Sequence, residues 1–248
     1  MIKKIFSVKQ KVLEMKYMKQ KSMGNVYMFH QINNDKSTWN DNSCCITESG
    51  FSRFINKLVD NRALFIPVLT LFDNELDKSD ISKRIVITFD DAYEDVYYHC
   101  FPILKKNNIP FTIFLTVNYL NKHNYLDEKM VKEMLDSGLC TVGSHSLTHS
   151  ILRKMSQDSV EKEFVNSRVE LSRIFNTNVD ILAYPFGSVY ACSKDNIKAA
   201  QNTEYQLAFS TLNCHLTENN MLNRFFIPRK NVNENNYKEI LRCWNAVN

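Results

Sequence analysis

The chain has 248 residues, of which 44% are apolar, and a formal net charge of +4, enough for one large domain with a full core or two small ones. So mild a charge, with no concentrated basic face, gives no reason to expect a nucleic-acid partner. With only five glycines, none in a GxGxxG or GxxxxGK[ST] arrangement, phosphate-cradling loops of those types are absent, and no GxSxG nucleophile elbow occurs.

In chain order, residues 1–23 form a basic arm with scattered Ile, Phe, Val, Leu and Met. It lacks a continuous apolar core, so it is a poor secretory signal. A terminal helix packed on the domain is the simpler expectation. The alternative is an amphipathic helix making weak contact with an anionic membrane surface. Residues 24–248 hold no repeat, low-complexity run or linker and are expected to form a single domain. Short apolar runs follow: VYMF (26–29), IVITF (85–89), FTIFL (111–115), CTVG (140–143), ILAY (181–184), QLAFS (206–210) and FFI (225–227). Segments of helical period lie between them, the longest being SVEKEFVNSRVELSRIF. Strands without polar alternation, separated by helices, imply βαβ units and a parallel sheet buried on both faces. Seven cysteines with no CxxC pair suggest free thiols in a reducing compartment, hence cytoplasmic residence. No apolar stretch is long enough to cross a membrane.

The ends of these strands carry the chemistry-bearing residues. His30 follows the first run, Asp90 and Asp91 the second, His145 and His149 the fourth, Pro185 and Phe186 the fifth, and Arg229 the seventh. In a parallel α/β barrel, the C-terminal strand ends gather at one rim. Adjacent aspartates in extended chain point in opposite directions, so one can bind a cation while the other accepts a proton. Taken alone, the pair is more simply explained by helix capping through Asp90 or Asp91. Two histidines at i and i+4 in GSHSLTHS can present both rings to one ion. The pattern is not HExxH, because Ser146 occupies the Glu position, so a third ligand and a base must come from elsewhere. The aspartates are candidates for both. In LAYPFGS, Pro185 restrains the backbone, and the Phe186 N–H could face a developing oxyanion. A plain strand-terminating turn is the simpler alternative there.

These stretches, in this order, resemble the polysaccharide deacetylases of carbohydrate esterase family 4. TFDDAYEDVYYHCFPILKKNNIPFTIFL is similar to the family's first motif and the helix and strand after it. HSLTH is similar to its His-(Ser/Thr)-x-x-His metal motif, and AYPFG to its groove-lining third motif. VYMFHQIN resembles the opening strand of a subset whose late segments have moved to the N-terminus. The likeness runs from about residue 24 to residue 232. It implies a distorted seven-stranded (β/α) barrel of parallel strands. It implies a divalent metal ion, expected to be Zn2+, on Asp91, His145 and His149, with Asp90 as general base. The implied reaction is hydrolysis of an acetyl group on an acetylated carbohydrate, with the Phe186 amide facing the oxyanion. The chain departs from the pattern at Ala92, where the family often has Gly, and at Ala183, where it has Arg. Arg229 is expected to replace that Arg in orienting Asp90. The late Leu-x-His is not evident, so the general acid is expected to be His30, with His215 as the alternative. Trp39, Tyr93, Tyr184 and Tyr190 are candidate sugar-platform residues, and His99 and His123 receive no role. Competing readings are removal of a formyl or other small acyl group, and a non-catalytic glycan-binding module that keeps its metal.

Overall fold

The computed structural model of the chain describes residues 2–35, 37, 43–73 and 81–247. Strands β1 (Asn25–Phe29), β2 (Arg84–Phe89) and β3 (Phe111–Leu115) are buried at every position, as strands covered on both faces must be. They continue into β4 (Cys140–Ser144), β5 (Ile181–Ala183) and β6 (Leu207–Phe209), each parallel to its predecessor. The last strand, β7 (Lys230–Asn231), pairs in parallel with β1. Just upstream, Ile227 makes a parallel bridge to Phe209 of β6. One segment therefore touches both ends of the row and curls it into a seven-stranded barrel. The FFI run was expected to be this seventh strand, with Arg229 beyond it. Instead the strand is displaced towards Lys230, and Arg229 lies inside the closing segment. Pro228 is the physical reason, since it has no N–H to give a ladder.

Alternation along each strand sorts the side chains into two cores. Val26, Val86, Phe114, Ile181, Phe209 and Ile227 fill the barrel. Tyr27, Phe29, Ile87, Phe89, Ile113 and Leu182 point outward under the helices. Inside, a Cβ added to Gly143 would sit 2.6 Å from the Phe114 ring and 2.8 Å from Ile181. Any larger residue at 143 would thus push apart a filled interior.

Most of the helices that cover the outside carry an apolar stripe, and several open on a side-chain cap. In α2 (Glu48–Asp60), Phe51, Phe54, Ile55 and Leu58 are buried and the Thr47 side chain accepts from the Gly50 N–H. After α3 (Phe101–Lys106), α4 (Glu128–Asp136) is capped by Asp127. In α5 (Gln157–Phe175), capped by Ser156, the buried stripe includes Val160, Glu163, Phe164, Ser167 and Leu171. A capping box of Ser193 and Asn196 opens α6 (Lys194–Asn202). Short α7 (Glu218–Met221) and terminal α8 (Tyr237–Val247) complete the chain. The N-terminal arm is a helix, α1 (Ile2–Met18). It lies against the loops that follow β5 and β6: Gln10 donates to the Thr211 carbonyl and accepts from the Val189 N–H, and Phe6 packs edge-on against Tyr190.

Candidate active site

The inward parity of β2 places Val86 and Thr88 in the barrel, and Asp90 continues that row. The Asp90 N–H donates to the Phe29 carbonyl at 2.9 Å, extending the β1–β2 ladder to the rim. Its carboxylate is buried. Arg229, fully buried itself, donates from Nη1 to Oδ1 and from Nη2 to Oδ2, both at 2.7 Å. The guanidinium is fixed in turn: Nε donates to the Ser210 carbonyl at 3.1 Å, and its Cζ lies 5.3 Å from the Phe114 ring centroid. A bidentate fork of this kind sets carboxylate orientation as well as charge. Burial pushes the Asp90 carboxyl up, but Arg229 and His145 outweigh it and hold it below its ordinary value.

Asp91 turns away from that pair. It and Ala92 have φ of +70° and +65°, a left-handed turn that both Cβ atoms resist. The turn aims Asp91 Oδ1 at two imidazoles: His149 Nε2 lies 3.1 Å away and His145 Nε2 3.4 Å away. The three candidate ligand atoms all fall within 4.8 Å of one another. On His145, Nδ1 donates to the Ala183 carbonyl at 2.7 Å, which fixes the tautomer and leaves Nε2 with a lone pair facing Asp91. Asp91 Oδ1 is buried and satisfied by no hydrogen bond, despite both rings beside it. Two imidazole nitrogens and a bare carboxylate oxygen converging on one point is what a divalent cation satisfies, so the residues fit a metal. Burial raises the Asp91 carboxyl, but the His145 and His149 rings outweigh it and hold the group well below its ordinary range. His145 shifts the other way: burial lowers it, while Asp90 and Asp91 raise it to a net increase.

The histidine loop is shaped from below. Ser146 and His149 both have positive φ, +67° and +59°. Glu163, buried on α5, accepts the Leu147 N–H at 3.0 Å and the Thr148 N–H at 2.9 Å on Oε2, and the Thr148 hydroxyl at 2.8 Å on Oε1. Three donors on one carboxylate clamp the chain between the two imidazoles. Sequence reasoning passed over Glu163. Its visible mark is a charge on the apolar stripe of a helix, between Val160 and Phe164.

A cleft of about 520 Å³ opens over these groups, lined among others by His30, Asp90, Asp91, Tyr93, His145, His149 and Phe186. His30 thus reaches the site, and its buried Nδ1 has no hydrogen-bond partner. His215 lies elsewhere, with Nε2 donating to the Gln20 carbonyl below α1. Phe186 has φ +58°, and its half-exposed ring sits 4.8 Å from His149. Its N–H meets no backbone acceptor among the described residues. Of the candidate platform residues, Tyr93 lines the cleft and stacks on Tyr125 at 5.2 Å. Tyr184 does not reach it: outward parity buries the ring under α5, and its hydroxyl donates to the Phe225 carbonyl. Tyr190 packs under α1 instead, and Trp39 lies outside the described residues. His99 pairs with Glu48 of α2, away from the rim. Thr211, Asn213, Asn231 and Asn236 also line it. None was expected, because nothing local marks an isolated amide or hydroxyl as cleft-facing.

A family model described as polysaccharide deacetylase matches residues 77–208, just over half of the chain. The chain belongs to the polysaccharide deacetylase family. A poly-beta-1,6-N-acetyl-D-glucosamine N-deacetylase of Staphylococcus epidermidis is 29% identical over 215 residues, covering 81% of this chain and 72% of that protein. YxkH of Bacillus subtilis is 31% identical over 135 residues, 54% of this chain and 47% of its own length. This chain therefore matches only about half of that relative. Among solved structures, the Streptococcus pyogenes deacetylase PplD superposes with a TM-score of 0.77 at 23% identity, covering 88% of this chain and 96% of that one. At that identity the likeness speaks to the barrel, which the polysaccharide deacetylase fold here shares. The site reading rests on this chain's own residues.

Proposed function

We propose that this polysaccharide deacetylase removes an acetyl group from an N-acetylated sugar, with a divalent ion, zinc, held by Asp91, His145 and His149. The observation that carries the reading is the convergence of those three side chains beside a separate carboxylate, Asp90, clamped by Arg229. The Staphylococcus epidermidis relative, named for an N-acetylglucosamine polymer, supports the amide over the ester. When bound, the ion supplies Lewis acidity that polarises the acyl oxygen and eases deprotonation of a water. Asp90 accepts that proton. Each carboxylate oxygen keeps a lone pair free after taking one Arg229 N–H. The same fork fixes where the base points and lowers its basicity, so Asp90 depends on a water already made acidic. His30, with Nδ1 unpartnered in the cleft, hands a proton to the departing amine. The Phe186 N–H, held by Pro185, faces the developing oxyanion.

Two observations weigh against a non-catalytic glycan-binding module. Arg229 reaches Asp90 from the closing strand although Ala183 stands in the family's Arg position, and a histidine does line the cleft. All seven thiols are free, which supports residence in a reducing compartment as part of this reading. The deciding measurement is acetate release from N-acetylglucosamine oligomers by zinc-loaded protein, with metal content determined in parallel. Asp90→Asn should keep the metal and lose turnover by at least about a hundredfold. If loaded wild type releases no acetate, or Asp90→Asn turns over normally, the proposal is wrong.

A further inference from the structure

Helix α1 rests on the barrel by one face only. Phe6, Gln10, Glu14 and the half-buried Leu13 and Tyr17 face the loops after β5 and β6, where Glu14 accepts the Asn213 N–H at 2.8 Å. The opposite face is apolar and uncovered: Ile5, Val8, Val12 and Met15 are 50%, 57%, 56% and 57% exposed. At 3.6 residues per turn these four fall in an arc of roughly 80°. Lys4 and Lys11 border the arc on one side, and Lys9 and Lys16 on the other, all exposed. Glu14 is the sole acidic residue of α1, and it points inward.

We propose that this outer face of α1 docks on an anionic lipid surface. A stripe of apolar side chains between two lysine rows is the form in which a helix lies in a bilayer interface, with its aliphatic stems buried and its amines at the headgroups. Charge decides the occupant. A second copy of the chain, laid stripe to stripe, would bring lysine rows against lysine rows with no carboxylate between them, whereas acidic headgroups neutralise both rows. The apolar residues on both faces also explain why α1 lacks a single apolar side. One apolar face packs on protein, and the other enters lipid.

The placement bears on the reaction. Phe186 and Asn213 line both the metal-site cleft and the groove beneath α1. A bilayer-bound α1 therefore holds the cleft beside the lipid surface, where membrane-proximal or lipid-linked glycan is presented. This consequence for substrate rests on the deacetylase reading; the lipid contact does not.

The test is co-sedimentation of the full chain with vesicles of phosphatidylcholine alone and of phosphatidylcholine mixed with phosphatidylglycerol. Binding is expected only to the mixture, weakening as salt is raised. Each Lys→Gln change at 4, 9, 11 or 16 should lower the partition coefficient about fivefold. Val8→Ser with Val12→Ser should lower it about tenfold or more. Thermal midpoints and acetate release from soluble oligomers should stay at wild-type values, since these side chains face neither core nor cleft. The proposal is overturned by equal binding to both vesicle types, by no binding, or by variants that bind as wild type does. A concentration-dependent dimer that Val8→Ser with Val12→Ser abolishes would overturn it too, by assigning the face to a second copy. Inactive wild type that still binds the mixed vesicles would sink the deacetylase reading and leave this one standing.

Discussion

Replacing Arg229 by methionine isolates the most consequential contact in the barrel. The guanidinium is fully buried and makes two 2.7 Å bonds to an equally buried Asp90 carboxylate, with a third bond from Nε to Ser210. Methionine fills similar volume between Phe114 and Phe209 but leaves the buried carboxylate without its fork, faced only by His145 Nε2 at 3.9 Å. Removing one partner of a buried pair costs about 3–5 kcal/mol. The sign with pH follows. In the wild type the Asp90 carboxyl lies below its ordinary value, so its contribution is present above the unfolded-state pKa and lost as pH falls through the folded one. In Arg229→Met, burial is no longer offset by the guanidinium, and the carboxyl titrates higher. The gap between the two proteins should therefore be widest at neutral pH and narrow towards about pH 4, where the variant can protonate Asp90. Urea unfolding of wild type, Arg229→Met, Asp90→Asn and the double variant at both pH values gives the coupling directly. A coupling below about 0.5 kcal/mol at pH 7, or a gap that does not shrink on acidification, would refute the claim that Arg229 holds this charge.

Two other expectations are independent of that pair. Glu163→Ala removes the clamp under the histidine loop and should weaken affinity for the proposed zinc ion about 10–100-fold by competition titration. Glu163→Gln keeps an acceptor for both backbone amides and should lose far less, so equal losses in the two would be fatal to the clamp. Asp95 is buried with one oxygen on the Ile32 N–H, and burial pushes its carboxyl up to about 7. The folded state then binds this proton more tightly than the unfolded one. Stability should fall by up to about 1.4 kcal/mol per pH unit from about pH 4 to 7 and level off above. Asp95→Asn should remove that slope, and parallel wild-type and variant curves across the range would contradict it.

The parts of this fold that could be read from the sequence were those written in contiguous residues. Continuous apolar runs such as IVITF and FTIFL marked strands buried on both faces, and the HSLTH and DDA stretches marked the three side chains that converge at the rim. Arg229 was legible only as a replacement for an arginine missing at 183. The last strand slid past FFI because Pro228 cannot join a ladder, a constraint present in the sequence but outweighed by three apolar residues in a row. Tyr184 ends the fifth apolar run and so reads as a rim residue. Parity, counted from Ile181 inward, turns it out to the helices. Glu163 and Asn213 act from distant segments on loops they do not adjoin, so their roles appear only when the chain is folded.

Five side-chain-bearing residues of the rim, Asp91, Ala92, Ser146, His149 and Phe186, occupy left-handed backbone. Each resists that geometry by about 1 kcal/mol or more, and glycine would not. Laboratory evolution for heat tolerance alone would therefore be drawn to these five positions, dismantling the Asp91–His145–His149 cluster while every melting curve improved. Thermostabilisation of this protein should be selected with acetate release, the proposed activity, scored at every round.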